Sequence, residues 1–213
     1  MLQTATAMSR LGTETAFEVL ARAKALESEG RSIINLGIGQ PDFPTPPHVV
    51  EAAIRALKDG HHGYTPANGI PELRRAVSDD LAWRLAVKVD PSRIVVVPGG
   101  KVTMFFAMLM FGEPGAEILY PDPGFPIEFT GAKAVPLPLR EENGFGFSAE
   151  EVLSRITPAT RLLIVNSPAN PTGGITPKAE MDKLAEGLAA HPRVAILSDE
   201  IYGQMLYDGE VHA

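Results

Sequence analysis

Apolar residues follow two different periods along the chain, and the two periods alternate from about residue 94 onward. Short, nearly continuous apolar runs are typical of buried strands. They predict strands at residues 94–97, 117–120, 134–139, 161–165 and 194–197. Apolar residues at helical spacing predict helices that start near Thr15 and Ser148 and helices at residues 48–58, 71–85, 102–110 and 177–190.

The alternation of strands and helices predicts the fold class. Strands that are apolar throughout belong in a parallel sheet with helices on both faces. We therefore expect an α/β fold with three layers around a mostly parallel sheet. Pro136 and Pro138 lie within the predicted strand at 134–139 and cannot donate to a ladder, so we expect this strand at an edge of the sheet.

Composition narrows the possible partners. The chain has 213 residues, of which 45% are apolar, and its formal net charge of −7 argues against nucleic acid or an anionic membrane as a partner. It has no cysteine, which excludes disulfides and thiolate catalysis and fits a cytoplasmic protein. Residues 1–10 lack the pattern of a secretory signal, and the longest apolar run, residues 104–111, is too short to span a bilayer.

A glycine pair separates the predicted strand at 94–97 from the next helix. Gly99 and Gly100, with Lys101, would let backbone N–H groups approach a phosphate at the positive end of that helix. A simple turn between a strand and a helix explains the same residues. The spacing is neither that of a P-loop nor that of a dinucleotide-binding fingerprint.

An acid and a tyrosine three residues apart follow the last predicted strand. Asp199 would be partly desolvated at the end of an apolar run, and a protonated pyridine nitrogen is one suitable cationic partner. The phenol of Tyr202 could contact the same ligand. A helix N-cap at Asp199 and a packed Tyr202 form the alternative interpretation.

Three further loop residues are candidates for ligand contacts. Asn170 could donate its amide to a ring hydroxyl, although its Asn-Pro-Thr-Gly loop is also typical of a turn. Phe125 could stack on a planar ligand or pack in the core, and Tyr64 could serve a contact or be a surface tyrosine. His61 and His62 are adjacent and do not share a helical face, so we expect no metal site.

Six short motifs occur in an order and at separations that resemble one known family. They are residues 39–43 (GQPDF), 64–70 (YTPANGI), 98–101 (PGGK), 123–126 (PGFP), 166–173 (NSPANPTG) and 198–202 (SDEIY). From about Gly37 to Asp208, the chain resembles the N-terminal portion of fold-type I pyridoxal-phosphate-dependent aminotransferases of class I/II, in the aspartate-aminotransferase-like branch. The resemblance implies pyridoxal 5′-phosphate (PLP) as the cofactor and the large domain of that fold, incomplete here.

The resemblance assigns roles around the cofactor. Asp199 would pair with the pyridine nitrogen, while Asn170 and Tyr202 would hydrogen-bond the ring oxygen. Phe125 would stack on the ring. The backbone of the glycine loop would hold the phosphate, at Gly99, Gly100 and Lys101.

The resemblance also implies contacts beyond the ring. Gly39 and Asn170 would lie beside the substrate, and Tyr64 would reach the phosphate of a partner subunit in a homodimer. Residues 1–45 would form an N-terminal arm and part of the small domain. Residues 46–213 would form part of the PLP-binding large domain.

The implied activity is a ping-pong transamination between an amino acid and a 2-oxo acid. In the family, the Schiff-base lysine and the two strands that join the strand at 94–97 to the others would follow Ala213. No catalytic residue is therefore assigned, and the chain alone is expected to be inactive. Three alternatives stay open: a carbon–sulfur lyase of the same fold, an enzyme similar to aminocyclopropane-carboxylate synthase, and an inactive truncated product.

Overall fold

The computed structural model describes residues 3–10, 15–37, 39, 41–123 and 127–212. Contacts divide the chain into two units: Thr13–Val97, the helical unit, and Met1–Gly12 with Pro98–Ala213, the sheet unit. The domain boundary expected after residue 45 stays a prediction. Within the described ranges, no helix combines the length and the apolar character needed to cross a membrane.

The described part of the helical unit contains three α-helices: α1 (Thr15–Ser28), α2 (Pro47–Lys58) and α3 (Pro71–Leu85). A proline lies in the first turn of α2 and of α3, where its fixed φ suits the helix and its missing N–H has no intrahelical partner to lose. Ala86, the residue that caps the carboxyl end of α3, has a left-handed φ of 55°. These helices confirm those predicted from the apolar spacing.

Residues 94–97 do not form the strand that their apolar pattern predicts. The Val96 N–H donates to the Asn68 carbonyl at 3.1 Å, and a Cβ on Gly69 would lie 2.7 Å from Cγ2 of Val96. The segment is therefore held against the turn at Asn68 and Gly69. A strand needs a neighbour to complete its ladder, and among the described strands none pairs with this segment, so the prediction is wrong there.

The described sheet unit contains four parallel strands in the spatial order β2-β1-β3-β4. In chain order its helices and strands are α4 (Gly100–Phe111), β1 (Glu117–Asp122), β2 (Lys133–Pro138), α5 (Ala149–Ser154), β3 (Thr160–Asn166), α6 (Lys178–Leu188) and β4 (Ala195–Asp199). The predicted α/β fold and parallel sheet are confirmed. β2 lies at an edge, as expected for a strand that contains Pro136 and Pro138.

Alternating side chains of the strands build two apolar cores, one on each face of the sheet. Leu119 and Leu163 are fully buried in the core that also contains Leu184 of α6. Ile118 is fully buried in the second core, which contains Met108 of α4. The sheet therefore forms the middle of three layers, with α5 and α6 on one face and α4 on the other.

A buried carboxylate ties several elements together at the amino edge of the sheet. Glu117, the first residue of β1, is only 9% exposed. Its Oε1 lies 2.8 Å from Nζ of Lys133 on β2, and its Oε2 accepts a hydrogen bond from Oγ1 of Thr157 at 2.6 Å. The Lys133 ammonium, followed by the Thr157 hydroxyl, holds the pKa of Glu117 below its ordinary value.

Glu117→Gln is expected to lower the free energy of unfolding by about 1–2 kcal/mol at neutral pH, a modest loss because Lys133 is largely in water. A lowered pKa in the folded state stabilises the protein above the unfolded pKa of glutamate, and this contribution disappears as the pH falls through the folded pKa. The difference between wild type and variant should therefore shrink as the pH falls below the ordinary pKa of glutamate, about 4.3. Denaturant unfolding at neutral pH and across this acidic range measures it.

Glu113→Gln is the matched control, because Glu113 lies on the exposed turn just before β1. This substitution removes the same charge and is expected to change the free energy of unfolding by less than about 0.5 kcal/mol. Equal losses for the two variants, or a loss at Glu117 that does not depend on pH, would contradict the role of Glu117.

Candidate functional site

Several of the predicted site segments leave the sheet at its carboxyl edge. β1 ends at Asp122, β3 at Asn166 and β4 at Asp199, and the three ends lie along one edge because the strands are parallel. Loops at this edge of an open α/β sheet are where ligands bind. Phe125, which follows β1, lies outside the described residues.

The side chain of Asn166 connects two of these strand ends. Its Nδ2 donates to the carbonyl oxygen of Asp199 at 3.2 Å, and its Oδ1 accepts from the backbone N–H of Asn170 at 2.7 Å. Asn170 and Asp199 are therefore brought close together through one shared amide. Asn166 was part of a sequence motif but was not predicted as a site residue; a polar residue at the end of an otherwise apolar strand is the signal that could have found it.

The loop after β3 is a tight turn that leaves the Asn170 side chain exposed. The Gly173 N–H donates to the Ala169 carbonyl at 2.8 Å, and the Ala169 N–H donates to the Gly174 carbonyl at 2.9 Å. Gly173 has a φ of 73°, which favours glycine. The peptide bond between Asn170 and Pro171 is cis. The turn interpretation and a binding role for Asn170 are thus compatible.

Asp199, the last residue of β4, and Tyr202, three residues later, are both partly buried. Oδ1 of Asp199 accepts from the Ile201 N–H at 3.4 Å, and the Met205 N–H donates to the Tyr202 carbonyl at 2.8 Å. Turns rather than a helix occupy residues 201–204. The N-cap alternative for Asp199 therefore reduces to one long local hydrogen bond, which leaves the rest of the carboxylate available as an acceptor.

The start of α4 offers donors for an anion. Gly99, at the N-cap, has a φ of 92°, makes no side-chain capping bond, and is followed by a first turn without acidic residues. The first N–H groups of a helix have no partner within the helix, and the helix dipole makes this end positive. Gly99, Gly100 and Lys101 are exposed, so a ligand can approach the backbone.

Packing indicates the edge of the sheet at which α4 starts. Near its end, Met108 lies in the same apolar core as Ala116 and Ala132, which come just before β1 and β2 at the amino edge. A helix of 12 residues rises about 18 Å. Its glycine start is therefore directed toward the carboxyl edge, the edge at which β3 and β4 end.

Two predicted contact residues lie in the helical unit. Tyr64 is fully exposed, and Gly39 is exposed with open space where a Cβ would be. Both are accessible to a partner or a ligand. Their predicted roles, at the phosphate of a partner subunit and beside the substrate, stay predictions.

One further phenol lies on β1 near the carboxyl edge. Burial, followed by the negative charges of Asp122 and Glu128, raises the pKa of Tyr120 above its ordinary value. The Tyr120 hydroxyl, which is protonated at neutral pH in any case, therefore keeps its proton to a higher pH than an exposed tyrosine. In the described ranges, no group of three or more His, Asp or Glu side chains is arranged to hold a metal ion.

Over most of its length, the chain is similar to a known class of enzymes. The family model for aminotransferase class I and II matches residues 31–213, and the chain belongs to this family. The family predicted from the six sequence motifs is thereby confirmed.

Individual relatives are aminotransferases. The chain is 38% identical over 208 residues to a probable aspartate/prephenate aminotransferase of Aquifex aeolicus, covering 95% of this chain and 52% of that protein. It is 36% identical over 200 residues to an arginine–pyruvate transaminase of Pseudomonas aeruginosa, covering 92% and 51%. The crystal structure of Thermus thermophilus aspartate aminotransferase with maleate aligns with a TM-score of 0.94 at 35% identity, covering all of this chain and 57% of that one. The chain thus spans about half the length of these proteins.

Gly99→Ala is expected to lower the free energy of unfolding by about 1–2 kcal/mol, because an L residue is strained at a φ of 92°. Gly100→Ala, at the first residue of α4, meets nothing within 4 Å and should be neutral or slightly stabilising. Thermal or denaturant unfolding of both variants measures the difference. A Gly99→Ala variant as stable as Gly100→Ala would contradict the described conformation of the loop.

Proposed function

We propose that this chain binds PLP at the carboxyl edge of its sheet and serves an aminotransferase that moves an amino group between an amino acid and a 2-oxo acid by a ping-pong mechanism. The observation that carries the proposal is the convergence of three chemically different groups at one edge. They are the glycine start of α4, an exposed amide and a partly buried carboxylate, at Gly99, Asn170 and Asp199.

These groups fit the chemistry of PLP one by one. The carboxylate of Asp199 is an acceptor suited to a protonated ring nitrogen. The amide of Asn170 and the phenol of Tyr202 are donors suited to the ring oxygen. The backbone N–H groups of the first turn of α4 suit a phosphate, as those of helix starts generally do.

When bound, PLP supplies an electron sink for the bond changes at the substrate's α-carbon. Asp199 would keep the proton on the ring nitrogen, because a carboxylate beside a pyridinium stabilises its charged form. Asn170 and Tyr202 would fix the orientation of the ring. Phe125 would cover one ring face, in keeping with the family resemblance.

We further propose that none of the seven lysines is the Schiff-base lysine of the family. Lys133, Lys178 and Lys183 form ion pairs with Glu117, Asp182 and Glu180, respectively. Lys101 belongs to the proposed phosphate loop. The other three lie outside the six motifs that carry the family resemblance, at Lys24, Lys58 and Lys88. We therefore assign no catalytic residue within this chain and expect the chain alone to be inactive.

The proposed partners follow from the same family. The substrates are a small amino acid and a 2-oxo acid, and the proposed assembly is a cytoplasmic homodimer in which Tyr64 serves the partner's phosphate site. Relatives named for aspartate, prephenate and arginine support an aminotransferase without selecting one substrate. The lyase and synthase alternatives would use the same ring-binding residues, and no observation on the described residues favours them.

Asp199→Asn is expected to weaken PLP binding by about tenfold or more, because a neutral amide cannot replace a charge-assisted hydrogen bond to a pyridinium. Equilibrium titration of the purified chain, followed by cofactor absorbance and fluorescence, measures the affinity. Asp208→Asn is the matched control: it removes the same charge from an exposed turn at a left-handed position that asparagine tolerates.

Equal affinities for wild type and Asp199→Asn would overturn the proposed ring site. Activity requires a separate assay in the longest protein that carries this chain, with several amino acids and 2-oxo acids offered in pairs. Amino-group transfer that fails without PLP supports the proposal, whereas elimination of a thiol from a cysteine-like substrate, with no transfer, would favour the lyase alternative.

A further inference from the structure

Asn166 is a buried polar residue at the junction of the sheet and the proposed cofactor site. It is the last residue of β3, it is only 4% exposed, and its register partner on β4 is Asp199. Buried amides are costly unless their donors and acceptors are paired. Its partners therefore indicate what the side chain does.

The two hydrogen bonds fix the orientation of the Asn166 amide. The backbone N–H of Asn170 can only donate, so the atom 2.7 Å from it is Oδ1. The carbonyl oxygen of Asp199 can only accept, so the atom 3.2 Å from it is Nδ2. One side chain thus binds the backbone of both residues whose side chains are proposed to face the PLP ring.

Asn166 lies at the end of the β3–β4 ladder, where its two hydrogen bonds can connect the loops that follow these strands. The backbone ladder between β3 and β4 ends at the pair formed by Asn166 and Asp199. Beyond that pair the two chains leave the sheet as loops, where no ladder sets their separation. The Asn166 amide extends the connection by one further step and reaches Asn170 in the loop.

A second contact joins the same two segments. Nε2 of His212 lies 3.2 Å from the carbonyl oxygen of Ser167, which follows Asn166 directly. A Cβ on Gly203 would lie 3.0 Å from Cδ2 of His212, so the turn after β4 also packs against this ring. The loop after β3 and the turn after β4 are therefore joined by a second set of contacts besides the hydrogen bonds of Asn166.

We propose that Asn166 is a positioning residue for the ring site: through its two backbone hydrogen bonds it sets the distance between the Asn170 amide and the Asp199 carboxylate. This proposal rests on the proposed function. Asn166 itself does not touch the cofactor. It acts by holding the two residues that do, and its removal should weaken PLP binding by more than its effect on folding explains.

The two backbone hydrogen bonds of Asn166, to Asn170 and to Asp199, are called the Asn166 clamp. Two substitutions separate the effects of these two bonds. Asn166→Leu has nearly the same shape and removes both bonds. Asn166→Asp keeps an acceptor for the Asn170 N–H but loses the donor to the Asp199 carbonyl. Thr160→Val is the matched control at the other end of β3, where Oγ1 of a buried threonine accepts from the Thr157 N–H at 2.9 Å.

Hydrogen exchange of the Asn170 amide, followed by NMR on the full chain without cofactor, tests the clamp directly. Relative to wild type, exchange should be at least tenfold faster in Asn166→Leu and nearly unchanged in Asn166→Asp and Thr160→Val. PLP affinity should fall by roughly tenfold in both Asn166 variants. It should change by less than about twofold in Thr160→Val, even where that variant loses comparable stability.

The outcomes distinguish the clamp from the proposed function. Equal exchange at Asn170 in wild type and Asn166→Leu would overturn the clamp, whatever happens to PLP. Faster exchange with unchanged affinity, while Asp199→Asn still loses affinity, would overturn the positioning role and leave the cofactor site standing. Unchanged affinity in the Asn166 variants and in Asp199→Asn alike would overturn the proposed cofactor site and the positioning role with it.

Discussion

The parallel pairing of β3 with β4 is the constraint on which the candidate site depends. Its register places Asn166 beside Asp199 at the last rung of the ladder. Because β1 and β3 are also parallel, the loops after three strands start along one edge. The helices α5, after β2, and α6, after β3, return the chain to the amino edge before the next strand starts. Polar residues far apart in sequence are thereby gathered where the apolar layers end.

Local pattern predicted most of the sheet unit and failed where a strand depended on a partner. Continuous apolar runs located β1, β3 and β4, and the two prolines of β2 indicated its place at an edge. Residues 94–97 have the same apolar character but no described strand beside them, and they are held by a bond to Asn68 instead. Apolar periodicity reports which side chains avoid water. It does not report whether a neighbouring edge exists.

The same distinction separates the site residues that the local sequence could predict from those that it could not. Asp199 and Asn170 could be predicted because each lies shortly after a predicted apolar strand, which is a local signal. Asn166 was missed because its role depends on Asp199, 33 positions away, and therefore on the β3–β4 register. The direction of α4 likewise follows from packing of Met108 near β1 and β2 rather than from its own sequence.

The state of the PLP ring nitrogen tests the central claim most directly. Nitrogen-15 NMR of PLP labelled in the ring, bound to the wild-type chain, distinguishes a protonated from an unprotonated pyridine. With Asp199 beside it, the bound nitrogen should stay protonated at pH values where the nitrogen of the free cofactor has lost its proton. A bound nitrogen that titrates like that of free PLP would contradict a ring site at Asp199, and with it the account of this edge of the sheet.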